Sequence, residues 1–412
     1  MQKDNRLKAI VLGGTSAHIE LIQKLKRRGY YIILIDYYEN PIAKQYANEH
    51  IQESTLDKER VLQIAKDKKV NLVITTCIDQ ANITAIYVSE KLGYHVPYSY
   101  ETSLNVTNKI FMKRIMEQNS IPTSKYINVK EISECKNNDL KYPLIVKPSD
   151  SNGSKGVNKA VNDKELLFYL NNALKISRSN QAIIEEYIEG KEIGIDCFIK
   201  NHEVHILTIR ERKKINCRSN NLQQITGTVT PPNINSKKIK EIKKIVEKIA
   251  FVFQLDNTPL MVQAIISNEE INIIEFAPRI GGGESSRMIE LITGFDIINQ
   301  TINSFMGLPI DIAIKKNEQY FSETLLYAEP SIMGFIKGDK ELIEKNIIEY
   351  IVQYKTKGMT IGNDLSSINR VGAFVVKGNN LEELNTKIEI AIKELEIYDL
   401  MNSPIMRKDI YL

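Results

Sequence analysis

Up to residue 92 the chain alternates short apolar runs with amphipathic stretches. Residues 7–12 form an apolar run that stops at Gly13-Gly14. Residues 18–28 then place apolar side chains at 19, 21, 22 and 25, one face of a helix, and Gly29 stands where a helix C-cap belongs. The same alternation predicts strands at 31–35 and 70–75 and helices at 60–68 and 80–92, the last stopped by Gly93. Strands separated by helices of this length imply a parallel sheet covered on both faces. Residues 1–104 are read as an N-terminal α/β domain.

The pattern then changes. Residues 105–119 read as one helix, stopped by Ile121-Pro122. Residues 125–200 hold several strands and one helix at 163–174. A long amphipathic helix covers 236–253, a hairpin 259–276 and another helix 295–306. Residues 105–309 form a central domain. Residues 310–412 read strand, strand, helix, strand, helix, and form a small α+β cap. The expected fold class is α/β followed by α+β.

Composition narrows the function classes. The chain has 412 residues, 42% hydrophobic and 26% charged, as in ordinary globular proteins. A net charge of +4 is too mild for a nucleic-acid or membrane-surface partner. No apolar run is long enough to span a bilayer, and the N-terminus lacks the apolar core of a signal peptide. Cys77, Cys135, Cys197 and Cys217 form no CxxC pair, which points to reduced thiols rather than disulfides or zinc. We expect a cytoplasmic protein. Its five histidines show no ligand spacing, and no nucleophile triad is visible.

Three segments carry chemistry. In the first, an apolar run at 144–146 delivers Lys147-Pro148 and then a loop containing Ser151, Gly153, Ser154 and Gly156. Glycines let backbone N–H groups approach phosphate oxygens, serine hydroxyls add donors, and lysine supplies a compact charge. A nucleotide polyphosphate suits this set. The second segment is Glu185-Glu186-Tyr187-Ile188, with Glu192 beyond Gly190. A strand-to-strand connection of this composition offers adenine an apolar slot with backbone edges, and ribose a carboxylate. The third is the hairpin. With its turn centred on Glu269, Ser267 faces Ile271, Ile265 faces Ile273 and Gln263 faces Glu275. An amide and a carboxylate on one otherwise apolar face suit magnesium, which takes one or two carboxylates and completes its shell with phosphate and water. Arg279, between Pro278 and Gly281-Gly282-Gly283, suits a phosphate or a substrate carboxylate.

Together, Lys147 with its loop, the hinge acids and Glu275-Phe276-Ala277-Pro278-Arg279 resemble the ATP-grasp superfamily, of carboxylate–amine (amino-acid) ligase type, similar to the ATP-grasp domain of the carbamoyl-phosphate synthase large chain. The resemblance implies a pre-ATP-grasp domain, a two-lobed ATP-grasp domain and a C-terminal cap. It implies that Lys109 and Lys147 touch the phosphates, that backbone atoms around Glu186 and Ile188 meet adenine, and that Glu192 meets ribose. It implies ATP with Mg2+, or Mn2+, on Gln263 and Glu275, with Lys147 and Arg279 as catalytic cations. Ala277 stands where an asparagine ligand is expected, so one ion would lose a protein ligand. The implied reaction is ADP-forming: a carboxylate becomes an acylphosphate and an amine displaces phosphate. The partners would be small carboxylates and amines, and a homodimer is compatible. Arg210-Glu211-Arg212-Lys213-Lys214 and Thr226-Gly227-Thr228 would line the acceptor side. Two other readings stand beside it. Ala277 motivates a non-catalytic ATP-binding regulator, and Gly13-Gly14 a Rossmann oxidoreductase.

Overall fold

The computed structural model describes residues 6–135, 139–151, 153, 155–215, 224–315 and 317–411. The N-terminal sheet is parallel, in the order Glu49–Gln52, Tyr31–Asp36, Lys8–Leu12, Leu72–Ile74. The helices Ser16–Arg27, Lys58–Lys68 and Asp79–Lys91 pack against it or on one another. The strand Glu49–Gln52 escapes the apolar pattern because it is a mostly polar edge, held by its register with Ile33 to Asp36.

His18 is completely buried in this domain. Its Nδ1 lies 2.9 Å from Thr15 Oγ1 and its Nε2 3.1 Å from Thr75 Oγ1. Thr75 donates its only hydroxyl proton to the Leu12 carbonyl at 2.6 Å, so it accepts from Nε2–H. Burial pushes the imidazole down to about 4, leaving it neutral. The unfolded chain takes up this proton near pH 6.5 and the folded chain resists it. The stability is therefore fully present above about pH 6.5 and is lost as the pH falls toward 4, by about 3 kcal/mol. Calorimetry should show the melting temperature falling across that window, and falling less in His18→Gln.

Residues 105–119 form two helices, Tyr100–Thr107 and Lys109–Gln118, instead of one. Asn108 leaves the helical conformation (φ −81°, ψ 111°), and its side-chain oxygen accepts from the N–H groups of Ile110 and Phe111. The break makes Lys109 the first residue of a new helix.

Two antiparallel sheets follow. The first has the order Tyr126–Val129, Ala182–Glu186, Leu144–Pro148, Asn158–Ala160. The helix Asp163–Ile176 packs on it around a small core of Leu144, Val146, Leu166, Leu170 and Ile184. The second has eight strands, in the order Glu270–Ala277, Thr258–Ser267, Lys191–Lys200, Glu203–Lys214, Ile225–Thr230, Tyr320–Leu326, Gly372–Gly378, Tyr350–Gln353. The sheet crosses residue 310 without interruption, because Ile225–Thr230 pairs with Tyr320–Leu326. Gly227 permits that approach: a β-carbon there would lie 2.1 Å from the Glu323 carbonyl oxygen. The tail adds a three-stranded sheet of Thr360–Ile361, Ser331–Lys337 and Glu396–Asp399. Among the described residues, no helix is long and apolar enough to cross a membrane.

The hairpin differs from the count made on the sequence. Its turn is two residues, Asn268 and Glu269, both with positive φ (46° and 68°), so Ser267 faces Glu270 and Ile265 faces Asn272. An irregularity between Gln263 and Ala264 then shifts the register by one, and Gln263 faces Glu275 after all. The extra residue is Ile274. Beside it, Ile273 N–H donates to the Pro122 carbonyl at 2.8 Å, and Thr123 Oγ1 donates to the Ile273 carbonyl at 2.8 Å. Contacts with a distant segment accompany the bulge, and turn chemistry alone does not reveal it.

Candidate functional site

Two joined cavities open between the sheets. The smaller, about 120 Å³, is bounded by Ile145, Lys147, Tyr187, Ile188, Ile265 and Ile273 among others. The larger, about 410 Å³, reaches from Asp79 of the N-terminal domain to Glu323 and Arg370 of the tail. Lys109, Gly153, Arg212, Gln263 and Glu275 line both, and so mark the junction.

The lysines are held by acids. Lys147, at the end of its strand, pairs with Glu185 on the neighbouring strand, and both are buried. Lys113, one helical turn after Lys109 and only 1% exposed, approaches the other carboxylate oxygen of Glu185 at 3.0 Å. Burial pushes the Glu185 carboxyl up, but Lys113 and Lys147 outweigh it and hold it ionised, down to about 2. Burial also lowers Lys113, to about 8. Glu185 lines the smaller cavity, but its oxygens are turned to lysines. Lys109 Nζ donates to the Ser151 carbonyl at 2.8 Å and stands 3.4 Å from Glu275. It joins the loop to the hairpin.

Within the loop, Ser151 and Gly153 line the smaller cavity, and Gly153 has φ +65°. Gly156 lies outside both cavity walls. Its φ is +76°, and a β-carbon there would meet Ile176 and Pro148 at 2.9–3.0 Å, so it is a packing glycine. Ser154 lies outside the described residues. At the hinge, the N–H of Glu186 donates to Lys125 and that of Tyr187 to Pro143. Among the described residues no acceptor meets the Ile188 N–H, which leaves an edge donor beside the cavity. Lys159 lies over the Tyr187 ring at 3.9 Å. Glu192 is paired with Arg212 at 3.2 Å and Lys214 at 3.5 Å on the cavity wall.

Gln263 and Glu275 stand opposite each other at the junction. Burial works to raise the Glu275 carboxyl, but Lys109, Lys147, Arg279 and Arg212 pull it below its usual range, so it stays ionised. Ala277 contributes no donor. Among the described residues no group of three or more His, Cys, Asp or Glu stands ready to hold a metal. A carboxylate with a neighbouring amide still fits magnesium, since phosphate and water supply the remaining ligands.

The larger cavity joins residues singled out from the sequence to Asp79, Glu323 and Arg370, which the sequence left unassigned. The Arg279 fork, expected to bind phosphate or substrate, grips Asp79 at 2.6 and 2.9 Å and donates to the Ile280 carbonyl at 2.8 Å. That uses three of its five N–H groups and leaves two. Asp79, at the start of a helix, carries no signal of its own, because its partner is 200 residues away. Strand alternation sends Arg210, Arg212 and Lys214 to the cavities, while Lys213 faces solvent. Arg210 is buried between Asp196 at 2.8 Å and Glu323 at 3.5 Å. Thr228 lines the same wall. Arg370 donates to the Tyr327 hydroxyl at 2.9 Å, and among the described residues no carboxylate pairs with it.

The Gly13-Gly14 turn does not suit a dinucleotide. Asp36 accepts from the Gly14 N–H at 2.7 Å, and Pro41 sits where a β-carbon of Gly14 would be, 2.5 Å away. The turn is filled by its own protein.

Residues 140–287 match the family described as ATP-grasp domain. A curated relative, the formate-dependent phosphoribosylglycinamide formyltransferase of Prochlorococcus marinus subsp. pastoris, is 26% identical over 74% of this chain and 77% of its own length. The crystal structure of L-amino acid ligase from Bacillus licheniformis is 18% identical, with a TM-score of 0.79 over 96% of this chain and 99% of that one. The biotin carboxylase domain of 2-oxoglutarate carboxylase from Hydrogenobacter thermophilus, solved with MgADP and bicarbonate, is 20% identical, with a TM-score of 0.75 over 97% of this chain and 91% of that one. The chain carries an ATP-grasp domain within the fold shared by these proteins.

Proposed function

We propose that this ATP-grasp protein is an ADP-forming carboxylate–amine ligase. The observation that carries the reading is the junction. Two lysines, a hinge edge and a carboxylate–amide pair converge where the smaller cavity at the hinge meets the larger, charged one. ATP would lie with adenine against Tyr187 and Ile188 and its outer phosphates at Lys109 and Lys147. Gln263 and Glu275 would hold Mg2+ or Mn2+, which supplies charge neutralisation on the phosphates. The substrate carboxylate attacks the γ-phosphoryl, giving acylphosphate and ADP. The amine then attacks the acyl carbon, forming the amide and releasing phosphate. The remaining N–H groups of Arg279, on the wall of the larger cavity with its plane set by Asp79, would meet the transferred group. Side chains do little acid–base work here; fixed charges do most of it.

The relatives suggest which substrates to test first: formate with phosphoribosylglycinamide, and pairs of amino acids. We expect ADP and phosphate in equal amounts, only when carboxylate and amine are both present, in a coupled assay resolved by chromatography. AMP as product would overturn the mechanism. ATP binding without turnover on any pair would move weight to a regulatory ATP-binding protein, the reading that Ala277 favours.

A further inference from the structure

We infer that Lys113 is a positioning residue for ATP, which it serves by neutralising Glu185 so that the charge of Lys147 stays available to phosphate. The inference rests on the nucleotide reading above. Lys113 itself is out of reach of a ligand, since it is 1% exposed and lines neither cavity. Its three N–H groups already have acceptors: Thr123 Oγ1 at 2.7 Å, Ser124 Oγ at 3.0 Å and Glu185 at 3.0 Å. Ser124 Oγ–H donates a hydrogen bond to Glu185 at 2.6 Å. One carboxylate oxygen is thus satisfied from the Lys113 side, and the other meets Lys147.

The charges can be counted. Glu185 carries one negative charge, and Lys113 and Lys147 one positive charge each. With all three in place, the cluster presents one net positive charge, and Lys147 is its cation that lines the smaller cavity. Without Lys113, Glu185 and Lys147 form a neutral pair that offers phosphate little. The position also ties parts together. The Thr123 acceptor of Lys113 donates to Ile273, two residues before Glu275 and beside the bulge that brings Gln263 opposite Glu275.

Lys113→Met keeps the aliphatic stem and removes the charge. We expect its ATP dissociation constant and KM for ATP to rise about ten- to hundredfold, with kcat at saturating ATP changed much less. Lys113→Met/Glu185→Gln restores the single net charge and should bind ATP within about threefold of the parent. A merely structural lysine would lower the stability of the single variant but leave the ATP affinity of its folded form unchanged. Parent-like ATP affinity in folded Lys113→Met would overturn the inference, and so would a double variant that is folded yet as weak as the single. If Lys113→Met does not fold, the double variant decides alone: parent-like affinity supports the inference, and a loss of tenfold or more overturns it. Failure of the parent to bind ATP in calorimetry would instead sink the nucleotide reading on which this one stands.

Discussion

Replacing Glu275 by glutamine is expected to lower kcat by about 10²–10³-fold while changing ATP affinity by less than about tenfold. The two effects separate because the residue sits at the junction and not in the adenine slot. Its carboxylate is kept ionised by four surrounding cations, with Lys109 at 3.4 Å. Glutamine has the same shape and keeps the hairpin packing, but removes the one charge of the proposed metal-binding pair. Tyr187, Ile188 and Lys147, the proposed nucleotide contacts on the smaller cavity, are untouched. Steady-state ADP release at saturating ATP and metal measures the first quantity, and titration calorimetry the second. Turnover within threefold of the parent would remove Glu275 from phosphoryl transfer. Loss of ATP binding with loss of turnover would make it a binding residue.

Lys147→Ala should act on the other quantity. The proposed charged hydrogen bond to phosphate would be lost, and ATP affinity should fall about ten- to hundredfold. The effect can be read as stability. At an ATP concentration a hundred times the parent dissociation constant, binding stabilises the parent by about 2.7 kcal/mol. A variant weakened a hundredfold keeps only about 0.4 kcal/mol of that. The upward shift in melting temperature with ATP and magnesium should almost vanish. Glu185 keeps Lys113 and Ser124 as partners, so the fold should survive. An undiminished shift would make Lys147 a counter-ion for Glu185 and nothing more.

Much of the site was legible because its parts are local. Lys147 and its loop, the hinge at 185–188 and the amide–carboxylate pair each lie within one element and its turn, where periodicity and turn chemistry speak directly. The Gln263–Glu275 pair is instructive. The count reached the right partners through a wrong turn, because a two-residue turn and a one-residue bulge cancel. Gly156 shows the opposite failure. A glycine in a phosphate-type loop reads as a ligand contact, yet this one turns the chain against Pro148 and Ile176.

By itself, then, the sequence determined the parallel-sheet domain and the order along the chain of the motifs that resemble an ATP-grasp domain. Tertiary structure alone decided which charges meet. Asp79 closes on Arg279 across 200 residues, Arg210 meets Glu323 across 113, and Arg370 enters the cavity from the tail. It also decided that the tail extends the large sheet, through the pairing of Ile225–Thr230 with Tyr320–Leu326. The reason is physical. Helical and strand periods relate residues two to four positions apart, so they announce an element and its faces. The partner of a buried charge depends on strand order and on where the chain breaks, as at Asn108. Those are set by packing between elements, which no local period encodes.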